Sequence, residues 1–91
     1  MTSEWIAGAA RVPFPVPIGT PMAGYSARTG PATGMLDELT IGALHLRSEK
    51  LRLVLVAADI VAVDASLVED VATAAGLDRT ELVLCASHTH S

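Results

Sequence analysis

Two apolar runs, residues 51–58 and 82–87, flank a segment with a single apolar stripe, and that succession leaves few folds open. Leu51, Leu53 and Leu55 alternate with Val54 and Val56 in the first run, so its strand is expected to be covered on both faces. Between the runs, Leu67, Val68, Val71, Ala72 and Ala75 recur at helical spacing, which predicts an amphipathic helix over residues 64–75 with that stripe in the core. Asp64 or Ser66 can cap it, Glu69 stands three residues after Ser66 as a capping box requires, and Gly76 can end it. Asp78-Arg79-Thr80-Glu81 then turns the chain back into the second run. Strand, helix and strand in this order predict a right-handed crossover with the two strands parallel, which brings their C-terminal ends to one rim of the sheet.

Upstream, residues 40–47 partly alternate, with Ile41, Ala43, His45 and Arg47 against Gly42, Leu44 and Leu46. Ser48-Glu49-Lys50 is a polar turn, so this segment and residues 51–58 read as an antiparallel hairpin. His45, in mid-strand, reads as a surface or packing residue rather than a ligand. Residues 5–12 give a first strand, and Pro13, Pro15 and Pro17 require it to end near Val12 or to lie at an edge, because proline lacks the donor that a central strand needs. Residues 14–34 carry glycines and prolines without periodicity and read as one long loop, with Met22, Tyr25 and Arg28 as its substantial side chains. A loop of that length is either held for function or laid over a neighbouring domain. The fold class is therefore α/β, a small mixed sheet with a β-hairpin and one βαβ crossover.

The rim is where chemistry concentrates. Asp59 follows directly on residues 51–58, and an unpaired carboxylate there is costly, so it should have a partner. A structural role, orienting the loop or a neighbouring ligand, weighs above direct catalysis. At the end of the last strand stand Ser87-His88-Thr89-His90-Ser91. If the extended conformation persists, His88 and His90 point to the same side, two neutral nitrogen ligands within reach of one cation such as zinc. The plain alternative is two polar residues where a strand surfaces. A zinc site with catalytic function needs about three protein ligands, so two histidines are an incomplete set.

Composition narrows the partners. Of the 91 residues 51% are hydrophobic and 18% charged, which suits a piece of a larger core better than a small free-standing domain. Six basic against ten acidic residues give a net charge of −4, with no basic cluster, which argues against a nucleic-acid partner. Cys85 is the sole cysteine and calls for no oxidising compartment; its strand position reads as a small buried hydrophobe rather than a reactive thiol. Residues 1–5 have neither the basic start nor the apolar run of a signal peptide, and the longest apolar stretch, 53–63, is too short to span a bilayer, so a soluble cytoplasmic protein without a transmembrane segment is expected.

A family resemblance covers essentially the whole chain. The succession Ala7-Gly8-Ala9-Ala10-Arg11-Val12, Pro17-Ile18-Gly19-Thr20-Pro21-Met22-Ala23-Gly24-Tyr25, Ala27-Arg28-Thr29-Gly30-Pro31-Ala32-Thr33-Gly34, Ala57-Ala58-Asp59 and Ser87-His88-Thr89-His90-Ser91 resembles the N-terminal part of the neutral/alkaline non-lysosomal ceramidases. That order is far more specific than the two histidines alone. The resemblance implies a zinc-dependent amidohydrolase of sphingolipid metabolism, cleaving the N-acyl bond of ceramide or a similar lipid. It implies that His88 is a zinc ligand and that His90 lies beside the substrate amide oxygen. The remaining ligands in the family, a histidine, a glutamate and a tyrosine, come from downstream segments that these residues do not include. Residues 1–91 are thus expected to be the N-terminal part of a longer catalytic domain, inactive alone and prone to self-association through apolar surface made for the missing C-terminal part. Two other readings stand beside this one: a hydrolase of the same scaffold acting on another amide or ester, and a non-catalytic small α/β domain whose histidines are surface residues.

Overall fold

A computed structural model describes residues 4–21, 30–34 and 37–89. Met22, Tyr25 and Arg28 of the long loop, and His90 and Ser91, lie outside the described residues. The chain forms a four-stranded mixed sheet in sequential order, β1 (Ile6–Phe14), β2 (Leu39–Arg47), β3 (Arg52–Ala58) and β4 (Leu82–Ala86). The first three strands are antiparallel neighbours, and β3 and β4 run parallel, joined by helix α1 (Ala65–Ala75) and a short 3-10 turn, Arg79–Glu81. The hairpin and crossover expected from the sequence are both present. Among the described residues no helix is long and apolar enough to cross a membrane.

β1 runs on through Pro13 to Phe14 and lies at an edge. The ladder shows why the proline fits. Asp59 N donates to Thr40 O at 3.1 Å and Ser48 N to Leu51 O at 2.8 Å, so the even-numbered residues of β2 turn their backbone groups toward β3. The odd-numbered ones, Ile41, Ala43, His45 and Arg47, must bond to β1, where they pair with Val12, Ala10, Gly8 and Ile6. Pro13 belongs to the alternate set whose backbone faces outward, and its missing N–H removes nothing from the ladder.

Helix α1 begins one residue after Asp64, whose carboxylate accepts from Leu67 N at 2.8 Å. Ser66 lies inside the helix, so the capping box anticipated from Ser66 and Glu69 does not form. A capping box does form at the following turn, where Asp78 accepts from Thr80 N and Glu81 accepts from Asp78 N at 2.8 Å. Gly76 ends α1 with φ 68°, and the N–H groups of Gly76 and Leu77 return to Thr73 O and Ala72 O, a Schellman motif open to glycine because of that positive φ.

The strand registers sort the side chains into two faces. One carries Val54, Val56 and Ala58 of β3 with Leu82, Leu84 and Ala86 of β4, and beneath α1 its Ala58 and Leu82 are buried together with Ala72 of the helix. Val68 and Val71 of the stripe are half-buried, whereas Leu67 and Ala75 are exposed. The opposite face carries Leu44 and Leu46 of β2, Leu53, Leu55 and Ala57 of β3, and Val83 and Cys85 of β4. No described element packs over it: Leu44 and Val83 are 40% and 41% exposed and Cys85 is exposed as well. Two expectations are corrected here. Among the described residues β3 is covered on one face, and Cys85 is exposed because alternation turns it away from α1.

Candidate functional site at the C-terminal rim of the sheet

Because β3 and β4 are parallel, the chain leaves both at the same rim, and Asp59 and Ser87 become neighbours. Asp59 N continues the ladder to Thr40 O, and its carboxylate returns the contact: Oδ2 accepts from Thr40 N at 2.9 Å and from Thr40 Oγ1 at 3.3 Å. Oδ1 accepts from Ser87 Oγ at 2.9 Å. One side chain therefore ties the start of β2, the end of β3 and the residue after β4. The Thr40 N–H, then the Ser87 hydroxyl, hold the Asp59 carboxyl below its ordinary pKa, with Arg11 adding a weaker favourable charge. These partners give Asp59 the structural role that its cost at the end of an apolar run demands.

His88 is held from two sides. Its backbone N–H donates to Ile60 O at 2.9 Å, and its ring Nδ1 lies 2.7 Å from Val61 O. A carbonyl oxygen can only accept, so Nδ1 carries the proton, and in the neutral ring the lone pair falls on Nε2. The backbone here has φ 64°, left-handed in a residue that is not glycine. Such a conformation costs about 1–3 kcal/mol and persists where surrounding bonds enforce it; two consecutive carbonyls of the β3–α1 connection do so here. Nothing in the sequence signals this bend, although histidine is among the residue types that tolerate it.

The bend bears on the pairing of the two histidines. β4 ends at Ala86, and His88 leaves the extended conformation, so alternation along a strand does not set the direction of His90, which lies outside the described residues. Among the described residues no three His, Cys, Asp or Glu side chains gather as a metal-holding group. His45 is remote from this rim, in mid-β2 between Gly8 of β1 and Val54 of β3, and its Nε2 is buried without a hydrogen-bond partner.

The fold and the rim define a class, a small mixed α/β sheet with polar groups gathered where parallel strands end. The chain has no match among family models, curated proteins or solved structures.

Proposed function

We propose that this chain supplies part of the active site of a zinc-dependent amidohydrolase that resembles the neutral ceramidases and cleaves the N-acyl amide of ceramide or a similar lipid. The observation that carries the reading is the 2.7 Å contact of His88 Nδ1 with Val61 O. A metal-binding histidine characteristically donates its other ring N–H to a carbonyl or carboxylate, which fixes the tautomer and aims the coordinating nitrogen. His88 fits a zinc ligand in kind, through Nε2. In number the described residues fall short, and the other ligands would come from segments outside these 91 residues. Zinc, when bound, lowers the pKa of a water to about 7 and so makes a nucleophile available at neutral pH. Within this chain, the Ile60 and Val61 carbonyls orient His88, Asp59 holds Ser87 and with it the approach to the bend, and His90 would donate to the amide oxygen as charge develops there.

Zinc titration by calorimetry compares the chain with His88→Gly, which removes the imidazole yet accepts the left-handed backbone at that position. The expected result is zinc binding that weakens at least tenfold in the variant. Equal affinity in the two proteins removes His88 from the ligand set and leaves the non-catalytic reading of the rim. Supplying the downstream segment restores amidase activity toward an N-acyl lipid if the substrate class is right; activity confined to another amide or ester selects the alternative hydrolase.

A further inference from the structure

Among the described residues no strand pairs with the outer edge of β1, and that edge is self-complementary. Every residue of β1 except Phe14 is exposed, and the ladder parity places the backbone N–H and C=O groups of Ala7, Ala9 and Arg11 on the side away from β2. An edge with open donors and acceptors is a template for another strand unless charge, proline or a bulge blocks it. β1 offers little of that kind: Arg11 is its only charged residue and Pro13 stands near one end.

We propose that β1 pairs with β1 of a second copy of this chain, antiparallel across a two-fold axis at Ala9, so that the two sheets become one. The sequence fits this register at each level. Outward-facing residues meet outward-facing residues, Ala9 opposite Ala9 and Ala7 opposite Arg11, so their N–H and C=O groups can exchange hydrogen bonds. In the alternate, closer pairs, Ile6 meets Val12 and Gly8 meets Ala10. Ile6 and Val12 are 57% and 52% exposed in the single chain, and a close cross-strand pair covers both. No charge faces its like, since Arg11 meets alanine. Pro13 falls opposite Trp5, itself 57% exposed, at the two ends of the shared ladder, where the missing donor costs one bond at each end. The same operation leaves α1 on one side of the joined sheet in both copies.

Sedimentation equilibrium of the full chain at micromolar concentrations tests the pairing. The expected result is a dimer that becomes monomeric in Ala9→Pro with its far-ultraviolet circular dichroism unchanged, because the Ala9 N–H points outward and takes no part in the ladder to β2. Ala9→Cys on a Cys85→Ser background provides a test independent of the proline's tolerance: mild oxidation should give a covalent dimer through the two-fold. A monomer throughout the concentration range, or a dimer that survives Ala9→Pro, overturns the proposal. So does ready cross-linking of the unaltered chain through Cys85, which would place the contact on the uncovered apolar face, or growth beyond the dimer, which would mean β1 meeting β4 head to tail.

Discussion

His45 offers the sharpest test of how the sheet is packed. Its ring lies on the helix-bearing face, flanked across the ladders by Gly8 and Val54, and its Nε2 is buried without a partner. A buried polar atom left unsatisfied costs about 1–3 kcal/mol relative to its hydrated state. His45→Phe keeps a planar ring on the same Cβ and replaces that nitrogen with carbon, so the penalty goes while most of the packing stays. Phenylalanine also has the higher strand propensity, on a scale spanning about 1 kcal/mol. The net expectation is a gain of about 1 kcal/mol or somewhat more. In a domain of this size that moves a thermal midpoint up by roughly 4–8 °C, and it moves a urea midpoint up by about 1 M at a slope near 1 kcal/mol/M. Urea unfolding followed by far-ultraviolet circular dichroism, at fixed protein concentration because association shifts midpoints, reads the effect directly. His45→Leu, which gives up ring contacts, should gain less than His45→Phe. A midpoint that stays put or falls in His45→Phe would refute the reasoning, since Nε2 would then have a partner in solution.

At the start of α1, Asp64→Ala should lower stability by about 1 kcal/mol through loss of the bond to Leu67 N, whereas Ser66→Ala, inside the helix, should change it by a few tenths at most; chemical denaturation of the two variants separates the caps. Acid should destabilise the protein. Asp59, Asp78 and Glu81 are all held below their ordinary pKa values, by Thr40 N–H, by Thr80 N–H and by Arg52 respectively as the first cause. A depressed folded-state pKa contributes stability that is present above the unfolded value, roughly pH 4, and is lost as pH falls through the folded value. Thermal midpoints measured downward from pH 6 should therefore fall most steeply below about pH 4, and Asp59→Asn should flatten part of that decline.

The crossover was legible because two different periods, a dense apolar run and a stripe at helical spacing, sit next to each other in residues 51–87. The cap was harder. Asp64 and Ser66 are both good N-cap types, two positions apart, and only the extended backbone of Asp64 decides between them. The box at Asp78 and Glu81 is written in the sequence as an acid three residues before a glutamate, but it caps a short 3-10 turn, which has no apolar stripe to mark it. The exposure of Cys85 is hidden in the sequence for another reason. The density of apolar residues in 82–87 says that a strand can be covered twice, and sequence says nothing of whether the second cover exists beside this sheet. The bend at His88 was not legible at all, since the carbonyls that hold it belong to residues 60 and 61, brought there only by the parallel pairing of β3 and β4.

That last dependence explains why the rim behaves as a unit. Asp59 and His88 never touch in the bonds described, yet both are fixed by the same short passage of chain. Asp59 anchors its beginning to Thr40 and Ser87, and the next two residues present their carbonyls to His88. A carboxylate suits this position better than an amide, because both oxygens accept, one from β2 and the other from the residue that precedes His88. An asparagine would offer only one acceptor, so the contact to Ser87 would have to reverse, the amide nitrogen donating to a hydroxyl that now accepts, and the charge would be lost. The orientation of the imidazole thus draws on a charge at the end of the adjacent strand, β3, and the chemistry proposed for His88 rests on a carboxylate that need not meet substrate at all.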